Sequence, residues 1–456
     1  MSEPSRKAGA TISRGSPASE APSRIPSGRH GRLCRVTSTP RLNRRGAVAM
    51  LVLAVVGLVL AASLLVPWEW VPGGHLVPMS AGKLFTAEQL LRGEEYARVA
   101  RLLSWSSLAV SLAVVGALGF TRLGSRLVSR LTSCRRWFLA VPVATLAVLL
   151  VGRVVTLPFG LALRQRNLDY GLTRQSLAGW FSDWGRGLLV DAVVTSLLLL
   201  ILVALMRRRP RDWYVAGAGV VVVLTFVGSL LYPVVIEPLF NKFTPMADGA
   251  FKSAVLRLAD KEGVHVDDVL VADASRRTTT YNAYVSGFGG TRRIVVFDTL
   301  MEGLPRKEAL VVVAHELAHA KNNDVLVGTI LGALGGVAGV AALALVLDIR
   351  AVRERAGIDD PADARLVPLV LALVAIGSLL ASPAVNSVSR ALEARADRVS
   401  LQTTGADGAF IAMQHRLAVQ AVRDPTPPAW SQFWFGTHPT VLQRAGLPSS
   451  LEAARS

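Results

Sequence analysis

Five stretches of this chain hold 20 or more consecutive residues without Asp, Glu, Lys or Arg. A helix of that length spans the roughly 30 Å hydrocarbon core of a bilayer. Because 51% of the 456 residues are hydrophobic and only 18% are charged, the chain is too apolar for an ordinary soluble domain. The pattern predicts a multi-pass membrane protein and excludes a soluble enzyme or a small extracellular module. The uncharged stretches are Gly46–Trp68, Leu102–Thr121, Trp213–Ile236, Val325–Leu347 and Leu366–Ser389.

Two further apolar segments carry one charge each. Trp137–Leu163 contains Arg153, and Gly187–Met206 contains Asp191. Counted as spans, they bring the predicted total to seven transmembrane helices. An ionised side chain in hydrocarbon costs at least about 2.5 kcal/mol. We therefore expect Arg153 and Asp191 either to reach the headgroups from the span ends or to line a hydrated chamber enclosed by the helices.

The first 45 residues hold ten of the 50 basic residues in a stretch rich in Ser, Pro, Arg and Gly. This stretch has no hydrophobic period, so we predict a disordered basic arm. The formal charge of +18 would also suit nucleic-acid binding. A basic arm directly before an apolar segment is more typical of a flank that orients the first span. The expected partner is therefore the lipid bilayer, with no nucleic acid.

Polar sequence is concentrated between the fifth and sixth spans and after the seventh. Residues 237–324 are nearly balanced in charge and long enough for a small domain. Their patterning predicts helices near Gly249–Gly263 and from Pro305 through Ala320, with β-like runs between them. These runs are Asp268–Ala274, Thr278–Ser286 and Arg293–Thr299. The predicted fold is an α-helical polytopic membrane protein with a small α+β domain. Its predicted parts are a basic arm (1–45), five spans (46–236), the α+β domain (237–324), two spans (325–389) and a helical tail (390–456).

The α+β domain contains the motif His315-Glu316-Leu317-Ala318-His319 in its second predicted helix. Histidines four residues apart share one helix face, so both imidazoles can bind one metal ion from the same side. Glu316 would then lie beside a water on that metal. Imidazole and carboxylate ligands around one open tetrahedral position favour zinc, with one ion per chain, and leave other divalent metals as alternatives.

A catalytic zinc of this kind needs a third protein ligand in polar sequence near the membrane surface. Glu393 is the best candidate, because it follows the seventh span and shares a helix face with Asp397. One carboxylate could bind the metal while the other accepts the N–H of a ligating histidine. A solvated Glu/Arg helix face would show the same spacing. His265 and His415 are competing ligands.

These motifs resemble the integral-membrane CAAX prenyl protease family of zinc metallopeptidases, with its bacterial members. The resemblance runs in the same order from Gly46 to Arg444 and includes seven spans. Beyond the zinc helix it rests on Pro238–Pro245, Tyr281–Gly287, Arg293–Leu300, Asn386–Asp397 and His438-Pro439 followed by Arg444.

The resemblance implies a metal centre in which His315, His319 and Glu393 bind zinc. Asp397 would accept a hydrogen bond from a ligand histidine. Glu316 would act as the general base, taking a proton from the attacking water and returning it to the leaving amine.

The resemblance also implies how the substrate is held. His438 and Arg444 would stabilise the oxyanion that forms during peptide hydrolysis. Asn282 and Ala283 would lie on an edge strand that pairs with the extended substrate backbone. Taken without the resemblance, Asn282 is typical of a turn and His438 of a loop before proline.

We therefore expect a membrane-embedded zinc metalloendopeptidase that hydrolyses membrane or misfolded proteins. CAAX-type processing of lipidated C-terminal peptides is the alternative. It ranks second because a bacterial member of this family would not be expected to meet prenylated proteins. A non-enzymatic seven-span transporter or receptor with a structural metal site is the alternative of another class. Such a site would be closed by four protein ligands and would not need Glu316 beside a ligand.

Basic residues in the short flanks of the spans are unevenly divided between the two sides. With the amino terminus inside, 23 Lys and Arg lie inside and eight lie outside. Because basic loops stay in the cytoplasm, this count favours a multi-pass cell-membrane protein with its zinc domain outside. The eukaryotic relatives in the resembled family present the site to the cytosol, which favours the opposite side.

Overall fold

The computed structural model describes residues 42–132, 136–286 and 292–455, so nearly all of the predicted basic arm lies outside the described residues. Seven described helices are long and apolar enough to cross a membrane, and a small mixed sheet accompanies them, which confirms the predicted fold class. In chain order the helices are α1 Arg44–Leu65, α2 Ala81–Leu84, α3 Ala87–Phe120, α4 Arg122–Thr132, α5 Trp137–Asp169, α6 Leu177–Arg208, α7 Trp213–Leu231, α8 Glu237–Phe240, α9 Ala250–Glu262, α10 Asp298–Gly303, α11 Arg306–Lys321, α12 Asp324–Asp348, α13 Arg350–Ala356, α14 Val367–Thr404, α15 Asp407–Gln420, α16 Ala429–Phe435 and α17 Val441–Ala453. The spans are formed by α1, α3, α5, α6, α7, α12 and α14.

The longest helical extensions beyond the predicted apolar stretches belong to α3 and α14. Helix α3 begins at a capping box in which Thr86 and Gln89 bond each other's backbone N–H groups. Its polar first half and its apolar second half form one continuous helix. Helix α14 runs unbroken until Gly405 ends it in the left-handed conformation. The predicted boundary between residues 389 and 390 therefore falls inside α14, which carries polar residues rigidly from the membrane into the soluble domain.

The soluble domain contains a four-stranded sheet. Its strands are β1 Phe243–Pro245, β2 Asp268–Ala272, β3 Ala283–Ser286 and β4 Arg293–Phe297. The predicted β-like runs contain three of these strands, whereas β1 was not predicted. The strand order is β1-β2-β4-β3, so β3 forms one edge of the sheet. Strands β2 and β4 are parallel, and the two outer pairings are antiparallel.

Helix α11 lies at the centre of the soluble domain. It contacts α9, α14, α15 and the edge strand β3. Val313 and Leu317 on this helix are fully buried in the domain core. Truncating such a side chain to alanine costs about 2–5 kcal/mol, because the cavity left behind collapses only partly. The helix that carries both motif histidines is thus held firmly by its packing.

The opposite end of the molecule gathers the basic flanks of the spans. Asn43 before α1 donates its backbone N–H to Arg211 O at 2.9 Å and accepts the Tyr214 hydroxyl at 3.0 Å. Arg207 at the end of α6 donates to the carbonyl of Ala362 at 3.1 Å. Helix α14 starts beside this end at Val367 and reaches Glu393 after a rise of about 39 Å. A rise of this size exceeds the hydrocarbon thickness, as expected if the two ends lie on opposite sides of the membrane.

Candidate active site

Three side chains from two helices converge on one point. His315 and His319 extend from the same face of α11, and Glu393 faces them from α14. One ligand atom of each residue lies within 4.8 Å of the others. Glu393 Oε2 is 3.1 Å from Nε2 of His315, and its Oε1 is 3.6 Å from Nε2 of His319. Two imidazole nitrogens and a carboxylate oxygen at this spacing can hold a single divalent metal ion.

A carboxylate fixes the outer nitrogen of each imidazole. Nδ1 of His315 lies 2.9 Å from Asp397 Oδ1, and Nδ1 of His319 lies 2.7 Å from Asp324 Oδ2. Both carboxylates are buried. When Nδ1 donates its hydrogen to a carboxylate, Nε2 is left free to bind a metal. Asp397 occupies the position expected from its spacing, whereas Asp324 was not predicted.

A sharp turn between α11 and α12 brings Asp324 to the site. Asn323 adopts the left-handed conformation with φ of 54°, which ends α11 and lets α12 begin at the next residue. Arg395 from α14 contacts the second oxygen of Asp324. Asp324 therefore joins the ligand helix to the helix that carries Glu393.

Arg444 binds Asp397 with two hydrogen bonds. Its Nη2 lies 2.5 Å from Oδ1, and its Nε lies 2.8 Å from Oδ2. Such a bidentate pair fixes both partners and balances the buried charge of the carboxylate. Within the described chain, Nη1 of Arg444 makes no hydrogen bond, so it retains a donor that a substrate oxygen could use.

The charges of the site favour a bound cation. Burial lowers the pKa of His315, but the carboxylates of Asp397 and Glu393 outweigh this effect and raise it to about 10. Arg444 and Arg395 balance Asp397 and Asp324, so Glu393 remains to balance a positive charge among the ligand nitrogens. The donor set and its charge therefore fit a divalent metal.

Glu316 lies beside the ligands and faces a cavity of about 350 Å³. Burial raises the pKa of its carboxyl above the ordinary range, although His315, His319 and Arg444 act in the opposite direction. A carboxylate with a raised pKa is a better proton acceptor for water near neutral pH. The position and the pKa of Glu316 both suit a general base.

His438 and Arg444 lie in the wall of the same cavity. Nε2 of His438 is 3.3 Å from Glu393 Oε1, and Thr437 lies 2.8 Å from its Nδ1. Partial burial lowers the pKa of His438 to about 4 despite the raising effect of Glu393. The neutral imidazole can donate one hydrogen bond into the cavity.

Asn282 and Ala283 lie where the free edge of the sheet meets the cavity. Asn282 is exposed and lines the cavity, whereas Ala283 is buried. The N–H of Phe297 donates to the carbonyl of Asn282 at 3.0 Å. Because bonded and non-bonded pairs alternate in antiparallel strands, the backbone groups of Ala283 point away from β4. This direction is the one from which an added strand would pair.

The two competing histidines lie outside the ligand cluster. His265 is largely exposed and lies 3.4 Å from Asp267. Nε2 of His415 lies 3.1 Å from the side-chain oxygen of Gln89, and its ring packs against Phe85. Neither residue shares a metal-binding group with His315 and His319 among the described residues.

The two lone charges of the third and fourth spans contact each other. Arg153 Nη2 lies 2.5 Å from Asp191 Oδ2, and the two side chains are 39% and 50% exposed. Pairing between neighbouring spans lowers the cost of both charges in a membrane. Of the two expectations for these residues, this pairing does not require that either side chain reach the headgroups.

Arg423 also lines the cavity, although no sequence pattern points to it. It follows α15 and precedes Asp424-Pro425, in a segment that is typical of a loop. A loop arginine carries no spacing signal that links it to a motif more than 100 residues away. The sequence also gives little indication of Asp324. It lies five positions after His319, and residues five apart lie on different faces of a helix.

The fold and the site together define a metalloprotease embedded in a membrane, and comparison with known proteins gives its family. Residues 245–447 match a model of Peptidase family M48. Residues 74–242 match a model described as CAAX prenyl protease N-terminal, five membrane helices. The chain belongs to the CAAX prenyl protease family of membrane metallopeptidases. This membership confirms the resemblance and excludes a non-enzymatic transporter or receptor.

Individual relatives agree with the family matches. The chain is 29% identical over 297 residues to "Uncharacterized metalloprotease YhfN" of Bacillus subtilis, covering 65% of this chain and 70% of that protein. It is 27% identical over 315 residues to the "CAAX prenyl protease 1 homolog" of Oryza sativa subsp. japonica, covering 68% and 72%. The crystal structure of S. mikatae Ste24p shares its fold with a TM-score of 0.72 at 20% identity, over 90% of this chain and 100% of that one.

Proposed function

We propose that this protein is a zinc-dependent endopeptidase that cuts membrane or misfolded polypeptides. The observation that carries the proposal is the convergence of His315, His319 and Glu393 within 4.8 Å, beside Glu316 in a cavity of about 350 Å³. Two imidazoles and one carboxylate are a ligand set that zinc uses in catalytic sites, where a fourth position stays open. One ion per chain is proposed, because the described residues form one such cluster.

Zinc bound there would acidify water and polarise the substrate carbonyl. Glu316 takes the proton of the attacking water and later delivers it to the leaving amine, a role that its raised pKa supports. Asp397 and Asp324 keep the two imidazoles in the tautomer that leaves Nε2 free.

The developing oxyanion needs hydrogen-bond donors from the protein. Arg444 offers Nη1 while Asp397 holds the rest of the guanidinium, so the donor is oriented before the substrate arrives. His438 offers a second donor from the neighbouring loop.

The substrate backbone is proposed to add to the free edge of β3. Asn282 lines the cavity, and the backbone groups of Ala283 point towards the side on which the described residues place no strand. Pairing through backbone groups gives affinity with little dependence on side chains, which suits a protease of broad specificity. Because Ala283 is buried, the neighbouring side chains must move for full pairing.

CAAX-type processing is the second candidate, favoured by the names of several relatives, which are called CAAX prenyl protease 1 or its homologs. The two candidates differ in whether a lipidated C-terminus is required. The test offers purified protein a prenylated CAAX peptide and an unprenylated membrane peptide, with the Glu316→Gln variant as control. Cleavage of both peptides at similar rates supports the broad endopeptidase, whereas cleavage of the prenylated peptide alone supports CAAX processing.

The zinc site is proposed to face the outside of the cell. The basic flanks gather at the opposite end of the molecule, and basic segments stay on the cytoplasmic side of a membrane. The rise of about 39 Å along α14 separates the two ends by more than the hydrocarbon thickness.

A further inference from the structure

Helix α4 connects the second and third spans and has three distinct faces. Its inner face, with Gly124, Ser125 and Val128, is buried. A second face carries exposed leucines at Leu123 and Leu131. The third face carries arginines at every fourth position. These are Arg122, Arg126 and Arg130. A helix with adjacent apolar and basic faces is typical of the membrane–water interface.

The position of α4 in the chain places it at that interface. The second span ends at Phe120, only Thr121 separates it from α4, and the third span begins at Trp137. At such an interface the leucine face would contact acyl chains, and the arginine face would lie at the level of the lipid phosphates. Within the described chain, none of the three arginines forms an ion pair with a carboxylate.

The arginine face forms one wall of a cleft of about 750 Å³. The opposite wall consists of α13 and the loop that follows it, and contributes Glu354, Asp359 and Arg365. Its two acidic residues are already paired, because Glu354 binds Arg350 at 2.5 Å and Asp359 lies 3.4 Å from Arg365. The cleft therefore retains the charge of the three α4 arginines.

Gly357 lies where the two walls approach each other closely. It has φ of 72°, and a Cβ at this position would lie 2.7 Å from Ser125 Oγ and 3.1 Å from Cγ of Arg122. Only glycine fits both the backbone conformation and this close approach. The close contact between the two walls of the cleft therefore depends on a glycine at this position.

We propose that this cleft binds the phosphoryl group of an anionic phospholipid headgroup. Arginine forks match phosphate oxygens in bidentate geometry, and three unpaired guanidiniums in one cleft can surround one phosphate. The adjacent leucine face explains why the ligand is a lipid, since its acyl chains would lie along Leu123 and Leu131. The site is on the side of the membrane opposite the metal cluster.

The test measures retained lipid and thermal stability for purified full-length protein. Phosphatidylglycerol, phosphatidylcholine and free glycerol phosphate are titrated against wild type and the triple variant Arg122→Gln, Arg126→Gln, Arg130→Gln. The matched control removes three exposed arginines at the same end of the molecule but outside the cleft: Arg44→Gln, Arg208→Gln, Arg211→Gln. Equal Tm values without lipid show that all three proteins are folded.

We expect wild type and control to retain phosphatidylglycerol and to gain stability from it. The cleft variant should bind it at least about 10-fold more weakly, since each arginine near the surface adds to the attraction. Equal binding by the cleft variant and the control overturns the proposal. Stabilisation by glycerol phosphate as large as that by the lipid overturns the assignment of a lipid and assigns the cleft to a soluble phosphate.

A second inference concerns Arg423 and rests on the proposed peptidase function. Val422 is a buried β-branched residue with φ of 47°, a strained backbone conformation for such a residue. The segment is fixed on both sides. A Cβ at Gly93 would lie 2.4 Å from the carbonyl oxygen of Arg423, and Asp424 pairs with Arg101 at 2.8 Å. The backbone on either side of Arg423 is thus fixed, and this determines where its side chain leaves the loop.

Arg423 is exposed and lines the catalytic cavity together with His438 and Arg444. Asp397 balances Arg444, whereas no carboxylate of the described chain forms an ion pair with Arg423. We infer that Arg423 binds a carboxylate of the peptide substrate, either an Asp or Glu side chain or the free C-terminus. An arginine in a partly enclosed cavity binds such a group strongly.

The test compares four peptides of one sequence, which differ in Asp or Asn near the cleaved bond and in a free or amidated C-terminus. The readout is the ratio of kcat/KM for each acidic peptide to that for its neutral counterpart. We expect Arg423→Gln to lower this ratio about 10-fold through KM for one of the two carboxylates, and Arg423→Lys to restore part of it. An unchanged ratio overturns the inference. Failure of wild type to cut any of the peptides would instead contradict the proposed function.

Discussion

Nδ1 of His319 lies 2.7 Å from Oδ2 of Asp324, a residue that begins the next helix. This contact orients the second motif histidine in the way that Asp397 orients the first. The two carboxylates reach the ligands from different directions, because Asp324 belongs to α12 and Asp397 to α14. The metal cluster is therefore held by three helices.

Asp324→Ala should weaken metal binding about 10–100-fold, as expected when a carboxylate that orients a ligand histidine is lost. Chelator competition on the purified protein measures the affinity. The matched control is Asp248→Ala, since Asp248 lies in the same domain with a side chain that is 97% exposed. Equal affinities for the two variants would show that Asp324 does not support His319.

Glu316→Gln should abolish peptide cleavage while metal stays bound, because the change removes the proposed proton acceptor without altering a proposed ligand. General-base catalysis contributes about 10²–10⁴-fold, so the loss should be at least 100-fold. Turnover is measured alongside metal content. Glu302→Gln, at an exposed position of the same domain, should behave like wild type. Appreciable turnover by Glu316→Gln would refute the assigned role.

Glu393→Ala should reduce the amount of bound zinc, since it removes one of the three proposed ligands. Asp397→Ala should retain more metal than Glu393→Ala, because Asp397 contacts His315 and is not itself a proposed ligand. Metal analysis of both purified variants tests this order. Full occupancy in Glu393→Ala would assign the third ligand to another residue.

The sequence is most informative where one local period determines the structure. Apolar length predicts the seven spans, two of which contain one charge each, and four-residue spacing places His315 with His319 and Glu393 with Asp397 on shared helix faces. Strand β1 is not predicted by the sequence pattern, because it has only three residues, one of them Pro245, and is defined by its pairing with β2. Asp324 escapes because the left-handed Asn323, and not a helical period, brings it to His319.

Cysteines placed at positions 153 and 191 should react with a small water-soluble maleimide. Arg153 and Asp191 pair at 2.5 Å and are partly exposed, as expected if they line a hydrated chamber between the spans. The experiment uses a Cys34→Ala, Cys134→Ala background and compares the water-soluble reagent with a lipid-soluble one. Labelling by the lipid-soluble reagent alone would show that both positions face lipid.

Cysteines at two exposed positions should reveal the side of the membrane on which the zinc site lies. Arg208→Cys marks the basic end and Asp248→Cys marks the soluble domain, again without Cys34 and Cys134. If basic flanks stay inside, a membrane-impermeant maleimide added to intact bacterial cells should label Asp248→Cys and spare Arg208→Cys. Permeabilised cells provide the control, because both cysteines should then react. The reverse pattern in intact cells would place the zinc site in the cytoplasm.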